Sequence, residues 1–245
     1  MSSDSKILSM TKGGAALGTI RDQLRDFAQI GVTFEQIEAE AQRLIAAAGM
    51  KPSFSTVKGY DWATCIMLNE ELCHGIPVDG VIQEGDVVTI DVGLIHNGYH
   101  LDTTTTFAAG EVPQDVQDFL ERGRKILDAS ISRATVGNSV YGISYEMESG
   151  LKKYGYGVVR QLTGHGIGKE LHMYPSIPCF AQRSDKRIIL EEGQTLAIEV
   201  MYTMGSPLVV EADDGWTFVT EDDSLSAMFE ETVLVTKDGP QILTS

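Results

Sequence analysis

The chain has 245 residues, 42% of them hydrophobic and 22% charged, with a net charge of −16. These figures suit a globular protein with a full core and exclude a broad nucleic-acid footprint, which needs clustered Lys and Arg. No window reaches the roughly 18–20 consecutive apolar residues of a spanning helix, and no apolar stretch of signal-peptide length follows Met1.

In chain order, Leu17, Ile20, Leu24 and Phe27 fall on one face of a first predicted helix, which Gly31 follows. Thr33-Phe34-Glu35-Gln36 reads as a capping box, and Ile37, Ala41, Leu44 and Ile45 continue that second helix until Gly49. From about residue 54 the texture changes to short strands, among them 85–93 and the β-branched run 102–107. The three cysteines, Cys65, Cys73 and Cys179, show no paired spacing and read as reduced thiols in a cytoplasmic protein. After Pro113 the helical period returns at Val116, Phe119, Leu120, Ile126 and Leu127. Another helix is predicted from near Ser139 to Gly155, and strands fill the remainder.

The order helix, helix, strands therefore occurs twice. Gly31, Thr33, Ile37 and Gly49 recur 106 positions later as Gly137, Ser139, Ile143 and Gly155. Residues 84–92 match 192–200 at an offset of 108, with four of nine residues identical and Asp91 opposite Glu199. Two such halves, about 5–112 and 113–245, predict one α+β domain over 1–245. Curved sheets would surround a pseudo-twofold axis with helices outside and a site at the axis.

Asp91 sits between Ile90 and Val92 and points away from its apolar neighbours, and a buried Asp is rare unless paired or metal-bound. Asp102 follows after a spacing that suits a hairpin. Taken singly, each reads as a turn or strand-edge residue. His165 is flanked by Gly164 and Gly166, in a run without the spacing of a dinucleotide or phosphate loop, and His172 follows. Glu199 lies in an apolar run where an ionised carboxylate needs a cation. Glu230 precedes a Val- and Leu-rich strand, and Glu231, facing the other way, reads as a solvated edge residue. Together, four carboxylates and one imidazole make a ligand set of charge −4 that two divalent ions balance. Oxygen-rich ligation with one nitrogen suits Mn, Fe(II), Co or Zn, and a close pair of such ions performs metal-assisted hydrolysis.

These residues, in this order, resemble the methionine aminopeptidases of the pita-bread fold from about residue 5 to the C-terminus. Cys73-His74-Gly75-Ile76-Pro77 looks like the family's first histidine motif. Asp91, Asp102, Gly164-His165-Gly166, His172, Ile198-Glu199 and Phe229-Glu230 match its ligand and histidine motifs, and Asp214-Gly215-Trp216-Thr217 also looks like this family. The resemblance implies a pita-bread domain of curved antiparallel sheets in which Asp91 chelates one metal, Asp102 and Glu230 bridge both, and His165 and Glu199 bind the other. It implies that Glu199 assists deprotonation of a bridging water, which attacks the scissile amide. His74 and His172 would contact the substrate amide. Tyr60, Cys65 and Trp216 would shape the methionine pocket, with simple core packing as their alternative role.

The substrate so implied is the initiator methionine of nascent proteins whose second residue is small, with transient ribosome contact and a monomeric chain. Lacking an N-terminal extension and the large helical insertion of the second type, the sequence resembles the short type I form. It departs from the family pattern at Val200, where Pro is expected and the strand exit would be less rigid, and at Glu231, where His is common. Phe54, Val57 and Leu171 also differ, which alters the fine shape of the pocket. Two rival functions remain: an X-Pro aminopeptidase or dipeptidase on the same fold, and a non-catalytic pita-bread binding protein. The short chain and the Cys73–Pro77 and Trp216 motifs argue against the first. The retained ligand set argues against the second.

Overall fold

Residues 3–245 are described by a computed structural model; Met1 and Ser2, where the reading of the start begins, lie outside the described residues. The first half runs α1 (Ser3–Phe27), α2 (Phe34–Ala47), β1 (Lys51–Pro52), β2 (Thr64–Leu68), β3 (Glu71–Cys73), β4 (Val87–His96) and β5 (Tyr99–Ala108). The second runs α3 (Gln114–Ile131), α4 (Val140–Lys153), β6 (Gly157–Val158), β7 (Thr163–Gly166), β8 (Met173–Pro178) and β9 (Thr195–Thr203). It ends with β10 (Val209–Glu211), β11 (Phe218–Thr220), β12 (Ser226–Thr236) and β13 (Gly239–Ile242).

Local chemistry accounts for the element ends. Thr33 Oγ1 accepts from the Gln36 amide at 3.3 Å while Gln36 Oε1 accepts from the Thr33 amide at 2.9 Å, satisfying two orphan donors of α2. The equivalent α4 start lacks this box, because Gly142 stands where α2 has Gln36. On α1, Leu17, Ile20 and Leu24 are buried, but Phe27 is 39% exposed, and the following turn buries Ala28 instead. Gly14 and Gly18 would weaken an isolated helix. Here they let α1 lie against the C-terminal backbone, where added Cβ atoms would meet the Leu243 and Thr244 carbonyl oxygens.

The halves repeat in their hydrogen bonds as well as in sequence. The Gly31 amide donates to Ile82 O at 2.8 Å and the Gly137 amide to Leu190 O at 2.9 Å. Phe34 donates to Gly80 O and Val140 to Ile188 O in the same pattern. The half-sheets join into one antiparallel sheet of ten strands, with the order β1-β4-β5-β12-β9-β7-β8 and β13, β2 and β6 attached to β12, β4 and β9. The seam is β5 against β12, at Glu230↔Thr104 and Glu231↔Thr103. A separate sheet, β10-β11-β3, stands beside it. Helix α1 packs on β4 and β5, and α3 on β9 and β12, so the outer face of the joined sheet is covered. Among the described residues no helix is long and apolar enough to cross a membrane.

Candidate active site

Strand register builds the site. Asp91 on β4 pairs with Thr104 on β5, Thr104 with Glu230 on β12, and Glu230 with Glu199 on β9. These four residues form one row across the seam, on one face. A second row lies two residues along: Gly93 pairs with Asp102, and Ala197 with His165. The hairpin that returns Asp102 to this face turns at Asn97-Gly98, both left-handed (φ 51° and 76°), as a tight two-residue turn demands.

All five predicted ligands, Asp91, Asp102, His165, Glu199 and Glu230, are buried. Ligand atoms of Asp102, His165 and Glu230 lie within 4.8 Å of one another. Three features show what such a cluster lacks without a cation. Asp102 Oδ1 and Glu230 Oε1 are buried with no hydrogen-bond partner among the described residues. Thr104 Oγ1 lies 2.9 Å from both Asp91 Oδ1 and Glu230 Oε2, and its single proton can serve only one. His165 Nδ1 lies 3.0 Å from Gly166 O, and because a carbonyl only accepts, Nδ1 carries the proton and Nε2 presents its lone pair. The residues fit divalent metal.

The electrostatics agree. Burial pushes Asp91 up to about 7 and, with the Asp91 charge, Glu199 up to about 8. Asp102 and Glu230 are held well above the usual carboxylate range by burial and then by the neighbouring acids. Burial, and then His172, lower His165 to about 4, so it stays neutral as a metal ligand must. Burial also lowers His74 and His172.

The acidic row opens into a cavity of about 310 Å³ that all ten predicted site residues line. Its apolar side is formed by Phe54, Val57, Tyr60, Cys65, Leu171 and Trp216. The Tyr60 ring meets Trp216 edge-on at 5.1 Å, and its hydroxyl lies 2.8 Å from Thr64 O and 3.0 Å from Gly75 O, fixing it between β2 and the loop that follows β3. His74 adopts a left-handed φ of 58°, uncommon for a residue with a Cβ, and its ring stands 5.8 Å from Phe218. The His172 ring stands 4.6 Å from that of His165. Cys65, Cys73 and Cys179 are all buried free thiols.

Two sequence expectations change here. Glu231 is no solvated edge residue: it is 2% exposed on the helix-covered face, with Arg21 Nη1 at 3.0 Å and Arg124 Nη1 at 2.6 Å. Its side chain faces away from Glu230, as strand alternation predicts, but the helices turn that face into interior. Val200 does not mark a strand exit. It is fully buried in mid-strand, paired with Phe229, and β9 continues to Thr203. Thr104 was missed, although a period-2 count from Asp102 would put it on the ligand face. Met228, Gln161 and Thr163 also line the cavity, with no motif to announce them.

A duplicated α+β chain whose joined sheet gathers four buried carboxylates and an imidazole on one face defines a pita-bread metallohydrolase. Residues 9–237 match metallopeptidase family M24, and the chain belongs to that family. It is 36% identical to the methionine aminopeptidase of Clostridium acetobutylicum, over 98% of this chain and 96% of that one. It is 41% identical to the methionine aminopeptidase of Aquifex aeolicus, over 81% and 78%. The crystal structure of methionine aminopeptidase from Thermotoga maritima superposes with a TM-score of 0.95 at 35% identity, covering 98% of this chain and 97% of that one. Prolidase from Pyrococcus furiosus shares the fold, with a TM-score of 0.80 at 23% identity, over 98% of this chain and 64% of that one.

Proposed function

We propose that this chain is a metal-dependent methionyl aminopeptidase that removes the initiator methionine from nascent proteins whose second residue is small. One observation carries the reading: the acidic row and an apolar pocket open into the same cavity. A side chain seated against Tyr60, Cys65 and Trp216 brings its own carbonyl over the row. An unbranched thioether suits that pocket, since sulfur packs well at the edges of aromatic rings.

Asp91, Asp102, His165, Glu199 and Glu230 would hold two divalent cations, whose charge balances that of the ligand set. The cations supply Lewis acidity toward the scissile carbonyl and toward water. Burial raises the Glu199 carboxyl in the metal-free chain; beside bound cations it would be ionised and would accept a proton at a carboxylate oxygen, a general-base role. His74 and His172, kept neutral by burial, orient the amide by hydrogen bonding. The halves, about 5–112 and 113–245, work as one domain in this reading, because ligands come from both sides of the β5–β12 seam. One chain supplies every ligand, which supports action as a monomer. The compartment proposed is the cytoplasm, and with a net charge of −16 any ribosome contact is transient.

The test is methionine release from Met-Ala-Ser, abolished by chelator and restored by added Mn or Co. Cleavage confined to a peptide with Pro second would assign the chain to the X-Pro peptidases. No cleavage of either would favour a binding protein.

A further inference from the structure

One wall of the cavity is fastened to the strands that carry the acidic row. The turn at Phe54–Thr56 brings Phe54 and Val57 to the cavity. Just before it, Ser53 is fully buried, and its amide donates to Gly93 O at 3.0 Å. Its hydroxyl lies 2.7 Å from His100 Nδ1. Gly93 is the cross-strand partner of Asp102, and His100 lies two residues before Asp102, hence on the same face of β5. Phe54 itself occupies the space where residue 93 has no side chain: a Cβ there would come within 2.6 Å of its ring and 2.9 Å of Ser53 Cβ. A second lining segment is held by the same residue, because the His100 amide donates to Gly168 O at 2.7 Å, at the head of the segment carrying Leu171 and His172.

We infer that His100 is a positioning residue for the apolar pocket: through the Ser53 hydroxyl it seats Phe54 on Gly93 and fixes the distance from pocket wall to acidic row. The substrate side of this inference rests on the aminopeptidase reading. His100 does not line the cavity, so its effect passes through Ser53 and Phe54. Removing the imidazole leaves a buried hydroxyl without its partner and frees the turn, which weakens the hold on the methionine side chain more than it disturbs the acidic row.

The experiment compares His100→Ala, Ser53→Ala, the double variant and His100→Asn in the metal-loaded protein. With Met-Ala-Ser, His100→Ala and Ser53→Ala are each expected to raise KM roughly tenfold, the size of one lost hydrogen bond, with kcat little changed. The double variant should be no worse than either single one. His100→Asn, whose amide offers Ser53 a polar atom near the Nδ1 position, should recover most of the loss. A second readout needs no activity. Amide hydrogen exchange at Thr56 and Val57 should quicken in both alanine variants and slow again in His100→Asn. If the unmodified protein cleaves no methionyl peptide, the aminopeptidase reading fails, while the exchange data still decide whether His100 holds the turn. Unchanged exchange at Thr56 and Val57 in Ser53→Ala, or a fall in kcat at constant KM, would overturn the inference. Should His100→Ala not fold, Ser53→Ala and His100→Asn carry the comparison.

Discussion

Replacing Glu231 by Ala tests whether the buried ion cluster on the helix-covered face holds the two halves together. Glu231 Oε1 accepts from Arg124 Nη1 at 2.6 Å and from Arg21 Nη1 at 3.1 Å. Oε2 accepts from Arg21 Nη1 at 3.0 Å and from Thr244 Oγ1 at 2.5 Å. One carboxylate therefore ties β12 to α1, α3 and the C-terminal segment. Breaking a buried pair costs roughly 3–5 kcal/mol when the remaining charge has no other partner. Here Arg21 keeps Asp22 at 3.2 Å and Arg124 keeps Asp128 at 2.7 Å, and the Arg124 side chain is 37% exposed. The Arg124–Asp128 pair is exposed and contributes little, while Arg21, itself mostly buried, keeps a half-exposed partner in Asp22. The expected loss thus falls at the low end, about 3 kcal/mol, which for a chain of this length lowers the melting temperature by about 6–12 °C.

Differential scanning calorimetry of metal-free and metal-loaded protein measures it, with Arg21→Ala and the Arg21→Ala/Glu231→Ala double variant to close the cycle. The double variant should lose less than the sum of the singles. Glu231→His, which turns two guanidiniums toward an imidazole, should destabilise comparably. A drop below about 3 °C, or strict additivity, would refute the clamp. A loss seen only with metal bound would mean that Glu231 acts through Glu230 instead.

Thr104→Val removes the hydroxyl between Asp91 and Glu230, and metal affinity measured by titration calorimetry should fall roughly 10–100-fold; unchanged affinity would make Thr104 a spacer only. Glu199→Gln should cut kcat by roughly 10²–10⁴, read from initial rates at saturating metal, and a residual rate near that of the unmodified chain would remove its base role. For pH, the acids of the row have folded-state pKa values raised above their unfolded ones, to about 7 for Asp91 and about 8 for Glu199. Below roughly pH 3 both states are protonated and the row costs nothing. As pH rises toward 8 the unfolded chain releases protons that the folded chain still holds, so the metal-free protein loses stability over that window. Added Mn should therefore raise the melting temperature more at pH 8 than at pH 5.5, with proton release on binding. A larger rise at pH 5.5 would contradict the assignment.

The parts legible in the sequence are those whose signals are local. The Thr33 capping box, the 106- and 108-residue offsets, and the apolar neighbours of Asp91 and Glu199 each need only a short window. What escaped depends on partners far along the chain. Nothing near Glu231 announces Arg21, 210 residues away, or Arg124, 107 residues away. In the Thr103–Thr106 run, four identical side chains give composition no way to choose the one that bridges two carboxylates. Counting in twos from Asp102 leaves Thr104 and Thr106, and the register against β12 chooses between them. His100 and Ser53 lie 47 residues apart, and each reads as an ordinary polar residue until β4 and β5 bring Gly93 between them.

The point at which the internal repeat fades is itself informative. Asp91 and Glu199 are separated by 108 positions, but their cross-strand partners, Thr104 and Glu230, by 126. The difference arises because β4 returns as β5 through a two-residue turn, whereas β9 reaches β12 only after residues 204–225. That inserted segment contains β10, β11 and Trp216, and β11 pairs with β3 through Phe218↔Cys73, next to His74. Thr104 faces Asp91 where Glu230 faces Glu199, and Asp102 supplies the missing acid one ligand-facing position along β5. The duplicated frame thus accounts for the paired acids, and the departure from duplication adds Trp216 to the apolar wall and supplies the seat of His74. A symmetric pair of hairpins could hold cations, but it would have no unique side on which to receive the side chain of a peptide.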